Sequence, residues 1–385
     1  MSSSVYFLAA IRFILALSFS VAWPFIPLYL TDRGLSPFQV GLFMTSVGFF
    51  GTLVRPFAGA LSDRFGRVRL IRILLYFRSA VLFLTFLFLL GKAPLWGLFI
   101  LLFLIVVGFA SFIPIADSYV AEASSPDNRV MGFGLIRLAI NGGFALGSFL
   151  ASFLLRYGYA SLFLLSSLLV FVAATLSFRL RENRTGVGLV KKIVFAVPDR
   201  RFFLFALFSM SVFILSSQLI NNFSIYAHTF MKIDKRLIAY LFTLNGMLIL
   251  LLQIPFSAVA KRAGYVLSTL VGGLGWAVAF IITAFASSYS HLIAAVVFMT
   301  LSEMVVVPVI IASASDRAPE GRIGAYMGFW STFQGLGYTF GPAWGGFFLE
   351  NLGRWAWILL SAQSVLTGVG LSLLKPVRRT TRQNL

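Results

Sequence analysis

The sequence of 385 residues has no cysteine, only two histidines and few charged residues. Without cysteine there is no disulfide framework and no metal site with cysteine ligands. His228 and His291 are too few for a histidine metal set, and no glycine-rich nucleotide-binding loop is present. We therefore expect no cofactor, no metal and no enzymatic activity. Any active process must then be driven by an ion gradient rather than by ATP.

The scarcity of charge excludes an ordinary soluble protein. Only 11% of the residues are charged and 59% are hydrophobic, whereas about a quarter of a soluble chain is charged. A chain of this kind requires a lipid bilayer as its solvent. The apolar runs do not alternate with polar residues as barrel strands do, so the spans are helices. No cleavable signal peptide is expected, because the first apolar run is too long for one.

The apolar runs predict an all-α membrane protein with twelve transmembrane helices. A run of about 20 apolar residues is long enough to cross the hydrocarbon core. The predicted spans are 5–30, 38–60, 70–91, 95–120, 131–155, 159–179, 202–227, 237–259, 265–287, 290–313, 323–349 and 354–375.

The basic residues predict the orientation. With the N-terminus inside, twenty lysines and arginines fall in the inner loops and tail, and seven fall in the outer loops. This bias places both termini in the cytoplasm of a cell whose inner (plasma) membrane holds the protein. It also accounts for most of the net charge of +19. Because the basic residues are spread over short loops, nucleic acid is not an expected partner. We expect a monomer in contact with membrane lipid.

Several motifs recur with an offset of 193 or 194 residues, which indicates two related halves. Pro126 and Arg129 recur as Pro319 and Arg322. Further recurring pairs are Pro114 with Pro308, Gly143 with Gly337, and Gly147 with Gly341. The predicted organisation is an N-terminal six-helix bundle (1–180), a cytoplasmic linker (181–201) and a C-terminal six-helix bundle with a basic tail (202–385). The basic linker suits either a strip against anionic lipid or a solvated connection.

Between the second and third spans the sequence reads GALSDRFGRVRL. It resembles the signature G-x-L-x-D-R-x-G-R of the major facilitator superfamily, with matching residues Gly59, Leu61, Asp63, Arg64, Gly66 and Arg67. With the six-plus-six repeat, the resemblance covers essentially the whole chain and is nearest to the drug/proton antiporter branch. It implies two six-helix bundles related by pseudo-two-fold symmetry around a central cavity, working by alternating access.

The resemblance also implies a conformational latch on the cytoplasmic side. Asp63 would hold the two halves together near the start of the eleventh span, around 322–324. Arg67 would pair with the acid that ends the fourth span, which is Glu122 in YVAEASSPDNR. Alternatively, these are ordinary loop charges that fix the topology. Lys261 stands at the acid position of the second half, so the latch is one-sided.

Two carboxylates inside the predicted spans are candidates for proton coupling. Glu303 lies thirteen residues from Asp316, roughly 20 Å along a helix and close to mid-bilayer. It could carry a proton, bind a cationic substrate or only hold its helix to a neighbour. Asp117 lies nearer the cytoplasmic side, at a depth similar to those of Arg12, Arg55 and Arg137. These arginines could form a relay with Asp117, attract an anion or extend to the interface.

Other polar residues within the spans could line the cavity or join helices by hydrogen bonds. The substrate-cavity candidates are Arg137, Asn141, Gln218, Asn221, Asn222, Asn245, Trp330 and Gln334. Spans three and twelve, which the resemblance makes outer and lipid-facing, contain only Arg78 and Gln363 of this kind.

The eleventh span contains a glycine-proline motif, GYTFGPAWGG, formed by Gly337, Gly341, Pro342, Gly345 and Gly346. The family's antiporters usually carry this motif in the fifth span, where this chain has Ser148 in place of the proline. The motif predicts close helix packing and a bend at Pro342.

Three functions fit the sequence. The first is proton-coupled export of small amphipathic compounds by a secondary active transporter. The second is proton-coupled uptake of a sugar or organic anion, which an arginine cluster would suit. The third is a non-pumping sensor or lipid scramblase, against which the Asp63 motif argues because a fixed protein has no need of a latch.

Overall fold

A computed structural model describes residues 3–91, 94–123, 129–182, 199–319 and 323–375. The α-helices of these ranges are α1 Ser3–Ala22, α2 Ile26–Asp32, α3 Pro37–Phe65, α4 Arg67–Leu90, α5 Leu95–Ala123, α6 Arg129–Leu154, α7 Tyr159–Leu176, α8 Arg200–Ser217, α9 Lys235–Ala284, α10 Tyr289–Asp316, α11 Ile323–Leu352 and α12 Ala356–Leu373. An all-α fold is confirmed for this part of the chain.

Local sequence signals set where several helices begin. At the start of α3, Ser36 and Gln39 form a reciprocal capping box, with the Gln39 amide 3.3 Å from the Ser36 hydroxyl. The α8 helix begins after Asp199, whose carboxylate accepts a hydrogen bond of 2.7 Å from the Phe202 amide. Each cap satisfies an amide that has no partner within the helix.

Two spans depart from regular α-helix. The first is interrupted by a 3-10 turn at Trp23–Phe25 between α1 and α2, where Pro24 and Pro27 both lack the amide hydrogen that would continue the ladder. The seventh continues after α8 in two π-helical segments, Leu219–Phe223 and Tyr226–Phe230. The sequence predicted both spans but neither irregularity.

In the described ranges, ten helices are long and apolar enough to cross a membrane. Two of them are unusually long, at 50 residues for Lys235–Ala284 and 48 residues for Tyr326–Leu373. Gly264 interrupts the first with a φ of 77°. The turn Gly353–Trp355 interrupts the second, between α11 and α12.

The helices form two units. One unit comprises Met1–Leu189 with Ile220–Leu250, and the other comprises Val190–Leu219 with Leu251–Leu385. The segment 220–250 therefore packs with helices of the first half of the repeat, although it belongs to the second half in sequence. The division into bundles at 1–180 and 202–385 remains a prediction.

In each unit, two of the recurring glycines lie where a pair of helices makes close contact. In the first unit, a Cβ at Gly143 or Gly147 of α6 would overlap backbone atoms of α1. In the second unit, a Cβ at Gly337 or Gly341 of α11 would overlap atoms of α8. The offset of 194 residues thus repeats one close helix contact.

Serine pairs join three helices of the first unit. The Ser79 hydroxyl of α4 donates to the Ser167 carbonyl over 3.0 Å, and the Ser167 hydroxyl of α7 donates back over 2.9 Å. Ser18 of α1 and Ser166 of α7 exchange hydrogen bonds in the same way, at 3.2 and 2.9 Å. Interhelical hydrogen bonds of this kind stabilise helix contacts in lipid.

Candidate functional site

The signature segment places a sharp turn between α3 and α4. Gly66 ends α3 and has a φ of 91°, a left-handed conformation that favours glycine. The Arg67 Nη2 lies 2.7 Å from Glu122 Oε1, which is the contact that the sequence predicted. This ion pair ties the start of α4 to the end of α5.

The rest of the predicted latch is described only in part. Arg64 is exposed, with its guanidinium 5.4 Å from the Phe65 ring centroid. The side chains of Asp63 and of residues 323–325, the surroundings of Gly59, and residue 322 lie outside the described part of the structure. The latch role of these residues remains a prediction.

Glu182 is a residue of this region that sequence analysis missed. Its carboxylate accepts hydrogen bonds from the first amides of α4, at 2.6 Å from Arg67 N and 3.0 Å from Val68 N. A carboxylate at a helix N-terminus interacts favourably with the unpaired amides and the helix dipole. The neighbouring residue, Arg181, is also fixed, because its carbonyl oxygen accepts a hydrogen bond of 2.9 Å from the Tyr119 hydroxyl. The first two residues of the predicted linker, Arg181 and Glu182, are thus hydrogen-bonded to α5 and α4.

Asp117 meets two of the three arginines predicted to surround it. It forms an ion pair and hydrogen bond with Arg12 of α1, whose side chain is almost fully buried. Arg55 of α3 contributes a favourable charge interaction with the same carboxylate. Arg137 is exposed and forms no ion pair with a described residue. The arrangement is a buried arginine joined to a carboxylate that keeps 45% of its side-chain surface exposed.

Glu303 lies on α10 and is half-buried. Its carboxyl lies within electrostatic range of the Tyr338 hydroxyl on α11. Asp316, at the other end of α10, is exposed. The two acids of this helix therefore occupy contrasting environments.

The polar candidates of the second unit differ in what they contact. Gln218 is fully buried and its amide nitrogen donates to the Gly341 carbonyl over 3.0 Å, which joins the seventh span to the glycine-proline motif. Trp330 is buried with its ring 5.8 Å from that of Phe213. Gln334 is half-buried on α11. Within the motif, Pro342, Gly345 and Gly346 are buried.

The remaining candidates belong to the first unit. Asn221 and Asn222 are buried in the first π-helical segment, and Asn245 is buried on α9. Asn141 is half-buried on α6. Single π turns are frequent at functional sites because they redirect side chains from the helical register.

A second charged cluster, which sequence analysis also missed, lies at the end of α2, the opposite end of the first span from the N-terminus. Asp32 Oδ2 accepts a hydrogen bond of 2.8 Å from the Tyr159 hydroxyl and another from Lys235. Asp32 Oδ1 lies 2.9 Å from His228 Nε2, and His228 Nδ1 lies 3.1 Å from the Ile233 carbonyl oxygen. We call Asp32, Tyr159, His228 and Lys235 the Asp32 cluster.

Apolar contacts continue from the Asp32 cluster along the segment 220–250. The rings of Phe25 and Phe242 meet edge to face at 5.8 Å. A Cβ on Gly246 would lie 2.8 Å from the Ala145 Cα, so α9 and α6 are in backbone contact. Residues far apart in sequence, on either side of the repeat boundary, thus form one packed region.

The family model of the Major Facilitator Superfamily matches residues 8–233 and 201–385. The chain belongs to this superfamily. It is 27% identical over 303 residues to the uncharacterized MFS-type transporter YttB of Bacillus subtilis, covering 75% of this chain and 76% of YttB. It is 24% identical over 379 residues to the multidrug resistance protein MdtH of Photorhabdus laumondii, covering 94% and 92%.

A solved structure shows the same fold. The crystal structure of the POT family transporter PepTSo aligns with a TM-score of 0.79 at 17% identity, covering 97% of this chain and 98% of that chain. The ten apolar helices and the superfamily fold together make this chain a multi-pass membrane protein.

Proposed function

We propose that the chain is a secondary active transporter that exports small amphipathic compounds in exchange for protons. Superfamily membership supports transport, and the name of MdtH, a multidrug resistance protein, supports export. The bacterial relatives favour an inner membrane as its location. The positive-inside bias favours cytoplasmic termini.

Twelve membrane crossings in two bundles of six are part of this proposal. A helix of 50 residues rises about 75 Å, more than twice the hydrocarbon thickness of about 30 Å. Gly264 therefore divides Lys235–Ala284 into two crossings, and Gly353–Trp355 divides Tyr326–Leu373. These divisions raise the ten apolar helices to the twelve spans predicted, with a pseudo-two-fold axis relating the bundles.

Alternating access is supported by one observation above all. The segment 220–250 belongs to the second half of the repeat, yet it packs with the first half through the Asp32 cluster and the Phe25–Phe242 contact. If the two halves rock against each other, this contact must open. Charged hydrogen bonds and small apolar contacts suit a surface that forms and separates repeatedly.

Two carboxylates are proposed for proton coupling. Glu303 is half-buried, within electrostatic range of the Tyr338 hydroxyl. Asp117 forms an ion pair with Arg12 and also interacts with the charge of Arg55. A carboxyl group in such surroundings can exchange a proton when its neighbours move. Glu303 remains the first candidate because its distance from the end of α10 places it near mid-bilayer, whereas Asp117 lies nearer the cytoplasmic side.

Proton flux in proteoliposomes tests the proposal. With a pH gradient imposed, lipophilic cations, sugars and organic acids are added in turn to wild type, Glu303→Gln and Asp117→Asn. Substrate-dependent proton flux that is lost in Glu303→Gln and retained in Asp316→Asn, the exposed acid of the same helix, supports Glu303 as the coupling acid. The direction of flux distinguishes export from uptake.

Other outcomes would revise the proposal. Flux that is lost only in Asp117→Asn moves the coupling role to Asp117. An absence of flux with every compound contradicts proton coupling and favours a uniporter, another ion or the non-pumping sensor or scramblase.

A further inference from the structure

A groove lies between α3 and α4 in the first unit, at the end of these helices that carries the signature turn. The two helices both pack along α5, whereas their contact with each other is limited. The gap between them has a volume of about 450 Å³. This volume falls within the range of about 300–1,000 Å³ that is usual for small-molecule sites.

Helical periodicity forms the α3 wall of the groove. Val54, Ala58 and Leu61 line it at intervals of four and three residues, so they share one face of the helix. Arg64 lies three residues further on and continues this face to the end of α3. The wall is therefore apolar along its length and cationic at one end.

The other walls are mostly apolar as well. Leu70 and Leu74 of α4 lie one helical turn apart along the second wall, and Ser111 and Ile115 of α5 form the floor. Among the described residues that line the groove, Arg64 is the only charged one. An occupant therefore needs an apolar body and one anionic end.

The rim of the groove is open and apolar. Phe57, which also lines it, is 75% exposed, and Leu61 is 48% exposed. Exposed apolar patches mark contacts with a membrane or a partner. Phe57 lies within the second predicted span and Leu61 one residue beyond it, so the medium at the rim is the bilayer.

The groove matches one leaflet in length and polarity. Val54 and Arg64 are ten residues apart, about 15 Å along a helix, which is half of the hydrocarbon thickness of about 30 Å. Arg64 stands at the end predicted to be cytoplasmic, where the membrane surface carries anionic lipids. A phospholipid has the same arrangement, with apolar chains inside the leaflet and a phosphate at its surface.

The guanidinium of Arg64 is accessible to such a phosphate. Arg64 is exposed, and none of the ion pairs among the described residues includes it. In contrast, Arg67 is paired with Glu122. Arg69, which precedes Leu70 on α4, is also exposed and adds positive charge at this end of the groove. Basic pockets between membrane helices on the cytoplasmic side bind anionic head groups.

We propose that this groove binds an anionic phospholipid of the cytoplasmic leaflet. The phosphate accepts hydrogen bonds from the Arg64 guanidinium, whose fork of donors suits phosphate oxygens. One acyl chain lies between α3 and α4 against α5. The lipid thus fills the gap beside the signature turn. The proposal goes beyond transport and depends neither on its direction nor on its coupling ion.

Native mass spectrometry of the full-length protein released from detergent tests the proposal. Dioleoyl phosphatidylglycerol and dioleoyl phosphatidylcholine, which carry the same chains, are added together at equal concentration. We expect the first bound lipid to be phosphatidylglycerol about tenfold more often, because its net charge is not cancelled within the head group. Arg64→Gln brings this ratio close to one, and Arg262→Gln retains it. Arg262 is the matching arginine of the second half, exposed and two residues before the glycine that interrupts α9.

A second pair of variants tests the groove without changing its charge. Leu61→Trp fills part of the groove, so binding of both lipids weakens several-fold. Leu53→Trp changes an equally exposed position of α3 that does not line the groove, and it leaves binding unchanged. Glycerol 3-phosphate, which has a phosphate but no chains, does not displace phosphatidylglycerol.

Four results would overturn the proposal. The first two are equal binding of the two lipids to wild type and a preference that Arg64→Gln leaves intact. The third is equal binding in Leu61→Trp and Leu53→Trp, which would place the chain elsewhere. The fourth is displacement by glycerol 3-phosphate, which would assign the guanidinium to free phosphate. Lipid binding as expected in protein without substrate-dependent proton flux would support this site and contradict the proposed coupling, so the two failures are distinguishable.

Discussion

At the scale of single residues, His228 is notable for what its two ring nitrogens face. Nε2 faces the Asp32 carboxylate and Nδ1 faces the Ile233 carbonyl oxygen, and both are acceptors. Only the doubly protonated ring can donate to both, since a neutral imidazole carries one N–H. Imidazole changes its charge in the neutral range. The Asp32 cluster therefore has a proton-dependent element.

The contact between the segment 220–250 and the first half should weaken as the pH rises through neutrality. The closed contact binds the second imidazole proton, so it is fully stabilised at acid pH and loses that stabilisation as the proton leaves. The charged groups that act on His228 are Asp32 and Lys235, and the Tyr159 hydroxyl donates to the same Asp32 carboxylate. Beyond them, Tyr29 packs against Tyr159, Arg33 donates to Tyr29, and Arg236 pairs with Asp234 next to Lys235 in sequence.

Cysteine labelling can measure this dependence because the chain has no cysteine of its own. Ala239→Cys places a thiol at a fully buried position of α9. Every thiol reacts faster with a maleimide as the pH rises, so a small free thiol serves as the reference. Between pH 5 and 8, the reaction rate of the thiol at position 239 should rise by a larger factor than the rate of this reference. His228→Gln should abolish the additional rise, and His291→Gln should retain it. An equal rise in both variants would contradict the role of His228.

Glu182 should stabilise the first turn of α4. Replacing it by alanine removes the acceptor of the Arg67 and Val68 amides, and loss of a helix cap costs about 0.5–2 kcal/mol. We expect faster hydrogen exchange at these amides and a lower melting temperature in detergent. Arg181→Ala, which leaves the Arg181 carbonyl in place for Tyr119, serves as the control. Unchanged exchange in Glu182→Ala would contradict the cap.

At the scale of helices, the recurring glycines predict which substitutions in α11 the fold tolerates. A Cβ at Gly341 would overlap the Ser217 hydroxyl of α8, whereas a Cβ at Gly328 meets nothing within 4 Å. Overpacking of a close contact costs about 1–3 kcal/mol. Gly341→Ala should therefore lower the melting temperature by several degrees, while Gly328→Ala should leave it unchanged or raise it slightly. Equal effects would show that this helix contact is not close.

The sequence anticipated the helices better than their interruptions. Apolar run length predicted the first span but not the 3-10 turn at Trp23–Phe25, which contains Pro24 and is followed by Pro27. Likewise, the run 202–227 was recognised as a span. Its π-helical segments could not be predicted, because hydropathy carries no information about the register of backbone hydrogen bonds.

At the scale of the whole molecule, the proposed topology predicts which loops face outward. Cysteines introduced at Arg33 and Ser288 should react with a membrane-impermeant maleimide in intact cells. Cysteines at Arg64 and Arg262 should react only after the membrane is permeabilised. All four positions are exposed in the structure, so burial does not confound the comparison. Labelling of Arg262→Cys in intact cells would contradict an even number of crossings between Arg64 and Arg262.

The sequence by itself determined the class of the protein, because run length, low charge and the signature motif are local properties. The resemblance to the superfamily implied the contact of Arg67 with Glu122. The similar depths of Arg12, Arg55 and Asp117 along their helices predicted that these charges could meet.

Only the tertiary structure decided the partners of Asp32 and Glu182 and the burial of Arg78. Asp32 meets His228 across 196 residues, and Glu182 meets Arg67 across 115 residues. No periodicity connects positions so far apart. The burial of Arg78 depends on which face of α4 turns toward α5, and a helix that is apolar on all sides does not reveal that face. Packing against the other helices sets it.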